Sequence, residues 1–301
     1  MITVGLIGAA DPRHKWFLAA LHRRRAGVRI LGLSDPDPVL RGEFGQQYEL
    51  PTWADHGELL ATARPSLVAI AQPDAGRTVI DSLRAGADVL VMPPICTTVA
   101  ELDEISDLVD STGRRLTAVH AYRGHPAVRT AKELVDSGKL GQPDLISLII
   151  GPDCTGCELA QTVIEVVHLF GWLTKVTTGA PGARADDPEE TAAFGELIVT
   201  IDGVAADGRA ATLEVRRSER ATGARIIQIA GDAGAVEWEA GSGLLRSSVE
   251  GREPATVACG PFADPADWVL TNLLRKPRPL ITTEQSLTTA RLALSATSVA
   301  G

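Results

Sequence analysis

Apolar and polar positions fall on two alternating periods through the first 120 residues. Short apolar runs, "ITVGLIG" (2–8), "VRILGLSD" (28–35), "SLVAIAQP" (66–73), "DVLVM" (88–92) and "RRLTAVHAY" (114–122), read as strands. Between them, "HKWFLAALHRRR" (14–25), "ADHGELLATA" (54–63), "RTVIDSLRAG" (77–86) and "TVAELDEISDLVDSTG" (98–113) space their apolar residues as helices do. Gly86 closes the third of these as a C-terminal cap. Repeated β-α-β units of this length predict a parallel, doubly wound sheet over residues 1–120.

Beyond about residue 145 the texture changes. "DLISLIIG", "AAFGELIVTID", "RAATLEVRRS", "ARIIQIAG" and "AVEWEAG" read as successive strands separated by turns rich in Gly and Asp. They predict a second α+β domain over 121–301, built on a mostly antiparallel sheet. "GCELAQTVIEVVHLFGWL" (156–173) reads as one inserted helix, and "APGARADDPEE" (180–190) as a mobile loop. Two helical stretches, "DPADWVLTNLLRK" and "TEQSLTTARLALSATSVAG", close the chain and are placed to pack back on the first domain.

Composition narrows the function. The chain has 301 residues, 45% hydrophobic, 22% charged and 4% aromatic, so its core rests on Ala, Val, Leu and Ile. A net charge of −9 argues against general affinity for nucleic acid or an anionic membrane. The basic clusters "HRRRAG" (22–27) and "EVRRSER" (214–220) read as solvated faces of a helix or strand. Four cysteines in so long a chain do not make a disulfide framework. No apolar run reaches the roughly 20 residues of a membrane span, and the N-terminus lacks the features of a signal peptide. A cytoplasmic protein acting on a small molecule is the expectation.

The first strand-turn-helix is where a dinucleotide fingerprint belongs. The sequence there is Gly8-Ala9-Ala10-Asp11-Pro12-Arg13, with Gly8, Ala10 and Arg13 at the three glycine positions. Ala10 leaves slightly less room for a diphosphate, while Arg13 either adds charge or faces solvent. Asp35 ends the second strand 27 residues beyond Gly8. An acid there accepts hydrogen bonds from an adenosine ribose and repels a 2′-phosphate, favouring NAD over NADP. The alternative is an Asx-turn within "SDPDP".

These pieces, taken in order, resemble the Gfo/Idh/MocA oxidoreductases, which act mostly on sugars and polyols with NAD(P). "VGLIGAA" resembles the family's nucleotide turn and "AIAQPDAGR" the stretch after its third strand. "VHAYRGHP" (119–126) is similar to N/H-x-x-R-F-x-P, "SGKLGQ" to G-x-L-G-x, and "IAGDAGAVEW" to a late strand-turn-strand. The closing segment from Phe262 onwards resembles the family's C-terminal helix pair. The resemblance implies an N-terminal Rossmann-type domain and cofactor contacts at Gly8, Ala9, Ala10, Arg13, Asp35, Gln72, Pro73, Arg77, Met92, Pro93 and His120. It also implies a homo-dimer or homo-tetramer through the C-terminal sheet.

Where the family reads E-K-P, this chain reads Met92-Pro93-Pro94. The family lysine sits beside the reacting carbon and hydroxyl; Pro93 has no proton to give. The family helix D-x-G-x-H-x-x-D-L-x-x-W-L, aligned on Trp172-Leu173, puts Gln161 for the first Asp, Glu165 for the His and His168 for the second Asp. Gln161, Glu165 and His168 are spaced i, i+4, i+7 and share one stripe of the inserted helix. Glu165, His168 and the Tyr122 phenol are the candidate acid-base groups, with Gln161 and Arg123 as candidate substrate contacts. A hydrogen-bonded polar stripe is the alternative for that helix. Arg123 suits an interdomain contact equally, and Arg77 either reaches the cofactor or caps a helix. Cys154-x-x-Cys157 with Glu165-x-x-His168 is a weak zinc-like pattern, and no metal is expected. Two other functions fit: a non-catalytic NAD-binding regulator or scaffold, and a lyase or isomerase reusing the fold.

Overall fold

The computed structural model describes residues 1–10, 14–23, 27–120, 126–150, 175–181, 196–204, 210–217, 226–239, 244–259 and 281–299. The chain divides into two compact units. One is Met1–Ala121 with Asp264–Arg291; the other is Tyr122–Ala263 with Leu292–Gly301.

The first unit is built on β1 (Ile2–Ile7), β2 (Val28–Ser34), β3 (Thr52–Trp53), β4 (Leu67–Ile70), β5 (Asp88–Val91) and β6 (Leu116–Ala118). They form one six-stranded sheet in the order β3-β2-β1-β4-β5-β6, and every neighbouring pair is parallel. That is the doubly wound order, with its switch point between β1 and β4. The five longer strands coincide with the five apolar runs of the sequence, because a parallel sheet covered on both faces needs no polar alternation. Val4, Leu33, Val68, Ile70, Val89, Val91 and Leu116 are all fully enclosed.

Helices α1 (His14–Arg23), α2 (Pro38–Tyr48), α3 (His56–Ala63), α4 (Gly76–Arg84) and α5 (Val99–Thr112) connect these strands. Their starts follow local chemistry. Asp37 caps α2 with Pro38 at its first position, and Asp55 caps α3. Thr98 and Glu101 form a reciprocal capping box on α5. The last described helix, α7 (Thr283–Val299; numbered after α6 below), begins in this unit. Its Thr283 and Ser286 hydroxyls accept the Leu116 and Ala118 amides, each at 3.1 Å. Edge strand β6 thereby spends its outward donors inside the protein rather than offering them to another chain.

The second unit contains α6 (Pro126–Asp136) and an eight-stranded sheet. Its strands are β7 (Pro143–Ile150), β8 (Lys175–Pro181), β9 (Glu196–Val204), β10 (Ala210–Arg217), β11 (Ile226–Gly231), β12 (Gly234–Glu239), β13 (Leu244–Val249) and β14 (Ala255–Ala258). The order is β14-β13-β12-β11-β7-β10-β9-β8. Only β7 with β10 is parallel; the other pairs are antiparallel. The expected α/β architecture, with a mostly antiparallel second sheet, is what the chain adopts.

One register row crosses this sheet through Thr256, Arg246, Glu237, Gln228, Ser147, Glu214 and Thr200. Arg246 and Gln228 both donate to the Glu237 carboxylate, at 3.2 and 3.3 Å. "EVRRSER" departs from the expected solvated face. Glu214 and Arg216 are buried and form an ion pair at 3.2 Å. Spaced i, i+2 on one strand face, each supplies the counter-charge that lets the other leave water. Of the expected loop at 180–190, Ala180 and Pro181 belong to β8, and the rest lies outside the described residues.

Candidate functional site at the strand ends

Just past five of the six strands of the first sheet, the next residue completes one more ladder bond. Asp35 donates its amide to Trp53 O (3.1 Å), Gly8 to Ser34 O (2.9 Å), Ala71 to Ile7 O (2.9 Å), Met92 to Ile70 O (2.9 Å) and Val119 to Val91 O (2.9 Å). These five rungs run along the whole carboxyl edge of the sheet. The residues that follow each of them leave the sheet at one level: Pro36, Ala9, Gln72, Pro93 and His120. Four of these five are sequence-predicted site residues.

The rungs also explain the two prolines. Met92 makes the last ladder bond of β5, so Pro93 stands where a missing N–H costs the sheet nothing. Met92, Pro94, Ile95 and Cys96 are buried and Pro93 is half-buried, with a cis peptide bond between Pro93 and Pro94. This stretch presents no ionisable group but the Cys96 thiol. Burial, and secondarily Glu101, pushes that thiol up to about 12.

At the switch point, Gly8 has φ +90°, and a Cβ there would lie 2.2 Å from the Ala71 carbonyl oxygen. Glycine is required because the ends of β1 and β4 come that close. Asp35 is buried and accepts three amides: Ala9 at 2.5 Å and Ala10 at 3.2 Å on Oδ2, and Asp37 at 2.9 Å on Oδ1. The last of these is the Asx-turn that "SDPDP" suggested. A carboxylate has about four acceptor positions, so these three bonds leave room for a sugar hydroxyl. Asp35 thus has the acceptor capacity that a ribose hydroxyl needs. Arg41, a residue the sequence reading passed over, donates to the Asp35 and Pro36 carbonyls at 2.7 and 2.8 Å.

The remaining described residues are placed as follows. Gln72 Nε2 donates to Asp74 O and Thr78 Oγ1, both at 2.8 Å, which fastens the loop carrying Pro73 to the start of α4. The Arg77 guanidinium is mostly exposed and pairs with Asp81 one turn along α4, at 3.0 Å; this is an i, i+4 contact. His120 is buried, and its amide closes a tight turn onto Ala118 O at 3.0 Å. Arg13, Tyr122, Arg123, Cys154, Cys157, Gln161, Glu165 and His168 lie outside the described residues. Among the described residues no group of three or more His, Cys, Asp or Glu is placed to hold a metal ion. No described helix is long and apolar enough to cross a membrane.

The family model described as "Oxidoreductase family, NAD-binding Rossmann fold" (GFO_IDH_MocA) matches residues 2–120. Over residues 2–120 the chain is therefore similar to the Gfo/Idh/MocA oxidoreductases. Two curated relatives match about half of this chain. YteT of Bacillus subtilis (strain 168) is 26% identical over 157 residues, 49% of this chain and 37% of YteT. The 1-carboxy-3-chloro-3,4-dihydroxycyclohexa-1,5-diene dehydrogenase of Comamonas testosteroni is 28% identical over 144 residues, 46% of this chain and 35% of that enzyme. The matched part spans little more than a third of the length of either relative.

Solved structures extend the likeness of fold to the whole chain. Biliverdin reductase of Synechocystis sp. PCC 6803, solved with biliverdin and NADP+, has a TM-score of 0.79 at 17% identity, covering 100% of this chain and 99% of that one. An Agrobacterium radiobacter oxidoreductase, solved with NAD+, L-tartaric acid and magnesium, has a TM-score of 0.76 at 15% identity, covering 99% and 96%. The family is NAD-binding, and its structural neighbours include both NAD+ and NADP+ complexes.

Proposed function

We propose that the chain is an NAD(H)-dependent oxidoreductase that moves a hydride to or from a small hydroxyl or carbonyl compound. NAD(H) is preferred over NADP(H). The carrying observation is the row of five rungs, which sets Ala9, Gln72, Pro93 and His120 level along the edge where open α/β sheets bind ligands. Asp35 holds the adenosine ribose beside the Gly8-Ala9-Ala10 turn, which with Arg13 faces the diphosphate; Gln72, Pro73, Met92, Pro93 and His120 line the nicotinamide end, with Arg77 at its margin. The bound coenzyme supplies or accepts the hydride.

Pro93 cannot relay the substrate proton, so that duty falls to Glu165, His168 or Tyr122, with Gln161 and Arg123 orienting the substrate. Sugars and polyols are the first substrate class. The relatives act on or hold a carboxylated dihydroxycyclohexadiene, tartaric acid and biliverdin, which adds hydroxy acids and unsaturated rings to the panel. The protein works in the cytoplasm as a dimer or tetramer through its large sheet, whose Arg246–Glu237 row is exposed at the Arg246 end.

The test is titration with NAD(H) and NADP(H), followed by a panel of polyols, sugars, hydroxy acids and keto acids. Turnover should fall in Glu165→Gln, His168→Asn or Tyr122→Phe; three variants at full activity would remove the assigned site. Pro93 itself favours a second reading, a non-catalytic NAD-binding regulator, which would bind NAD(H) and turn over nothing in the panel.

A further inference from the structure

A single carboxylate stands between the loop after β4 and the loop after β5. Glu101 Oε2 accepts the Thr97 and Thr98 amides at 3.1 and 3.2 Å and the Thr98 hydroxyl at 3.0 Å. A capping box needs only the N-cap amide, that of Thr98; the Thr97 amide extends the grip into the loop itself. The same carboxylate lies against Gly76, the first residue of α4. A Cβ there would stand 2.6 Å from Glu101 Cδ and Oε1 and 2.8 Å from Oε2. Helix α4 has no cap of its own, because its N-cap residue is Ala75 and makes no side-chain bond. A negative charge at that end complements the helix dipole. Gln72 in turn donates to Asp74 O and Thr78 Oγ1, so the loop from Gln72 to Ala75 is tied to the start of α4. Burial first, and then Glu101, raise the pKa of the Cys96 thiol, so the charge also bears on the stretch after Pro94.

We propose that Glu101 is a positioning residue. Its carboxylate fixes the loop carrying Gln72 and Pro73 against the loop carrying Pro93 and Pro94, and so sets the width of the nicotinamide end. The proposal rests on the NAD(H) reading above and deepens it. Glu101 acts through the two loops rather than on the coenzyme itself. Gly76 is the matching half of the device. A side chain there would collide with a carboxylate that the Thr97 and Thr98 donors already hold in place. By helix propensity alone Ala would be the better residue, so it is the carboxylate that accounts for the glycine.

The experiment compares NADH with ADP-ribose, which lacks the nicotinamide, by calorimetry on the full chain. In Glu101→Ala, NADH should bind about fivefold more weakly, the worth of one carboxylate at a helix end. ADP-ribose should stay within about twofold of wild type. Gly76→Ala pushes the carboxylate off α4 without removing it, and should give the same split although it raises helix propensity. Glu101→Gln keeps an acceptor for the Thr97 and Thr98 amides but not the charge, and should fall between wild type and Glu101→Ala. A purely structural loss would weaken both ligands together, so the split is the deciding readout. Equal weakening of both ligands, or unchanged NADH affinity in Glu101→Ala and Gly76→Ala, overturns the proposal and leaves the NAD(H) reading intact. A wild-type chain that binds neither ligand overturns both. If Glu101→Ala does not fold, Glu101→Gln and Gly76→Ala decide the matter.

Discussion

The Ala9 amide donates to Asp35 Oδ2 at 2.5 Å, tying the end of β1 to the end of β2 across 26 residues of chain. Both residues are buried. Asp35 is therefore a structural element of the turn, and its loss reads out in stability.

Asp35→Asn is the direct check. Asn offers one acceptor oxygen where the carboxylate serves three amides, so buried N–H groups go unpaired at a cost of about 1–3 kcal/mol. Urea unfolding should show that loss. The same variant removes the charge that repels a 2′-phosphate while leaving Arg41 beside the Asp35 carbonyl, so NADPH should gain on NADH. An unchanged NADH to NADPH ratio would place Asp35 away from the ribose.

Gly8→Ala tests the close approach at the switch point. The added methyl would sit 2.2 Å from Ala71 O at a φ of +90°. Left-handed strain alone costs of order 1–3 kcal/mol, and the two strand ends must separate as well. A stability loss above about 2 kcal/mol in urea is expected. A change of a few tenths would mean that the strand ends yield freely.

Ser286→Ala probes the closed sheet edge. It deletes the acceptor of the Ala118 amide, a buried bond at 3.1 Å between residues 168 positions apart. Stability should fall by about 1–3 kcal/mol, and hydrogen exchange at Ala118 should accelerate while that at Val89 or Leu90 does not. Equal exchange at all three would show that α7 is not what protects β6.

The sequence was most legible where burial is two-sided. The strands around Val4, Leu33, Val68 and Val89 are continuous apolar runs, and no helix period competes with them. It was least legible in β13 and β14. In "LLRSSV" exposure alternates, but the residue types filling those positions do not, and all four residues of "ATVA" are exposed, so neither sequence shows a strand's alternation. Helix α2 hid behind its own cap: Asp37-Pro38 was read only as a turn, though Asp before Pro is also a helix start. At the site, glycine and acid spacing gave Gly8 and Asp35. The level shared by Ala9, Gln72, Pro93 and His120 comes from sheet order, which no local pattern encodes. Glu214 and Arg216 misled for a related reason. Charge in a string of letters reads as solvent, while pairing at i, i+2 on a central strand reads as interior.

The last prediction concerns Cys96, the buried thiol that follows the two prolines. Removal from water raises its pKa first, and the Glu101 carboxylate adds to the effect, taking it from 9.0 to about 12. A thiol reacts as its thiolate, so in the native chain Cys96 should resist alkylation at about pH 8 while the urea-unfolded chain is labelled readily. Peptide-resolved mass spectrometry separates it from Cys154, Cys157 and Cys259. The sign of the stability effect follows from the raised folded value. Below about pH 9 both states hold the proton and the group is neutral to folding. Between about 9 and 12 the unfolded chain releases the proton and the folded chain does not, so stability declines with rising pH. Cys96→Ala should flatten that decline without altering stability's pH dependence near neutrality. Equal labelling of Cys96 in native and unfolded chains would show that the stretch after Pro94 is open to solvent.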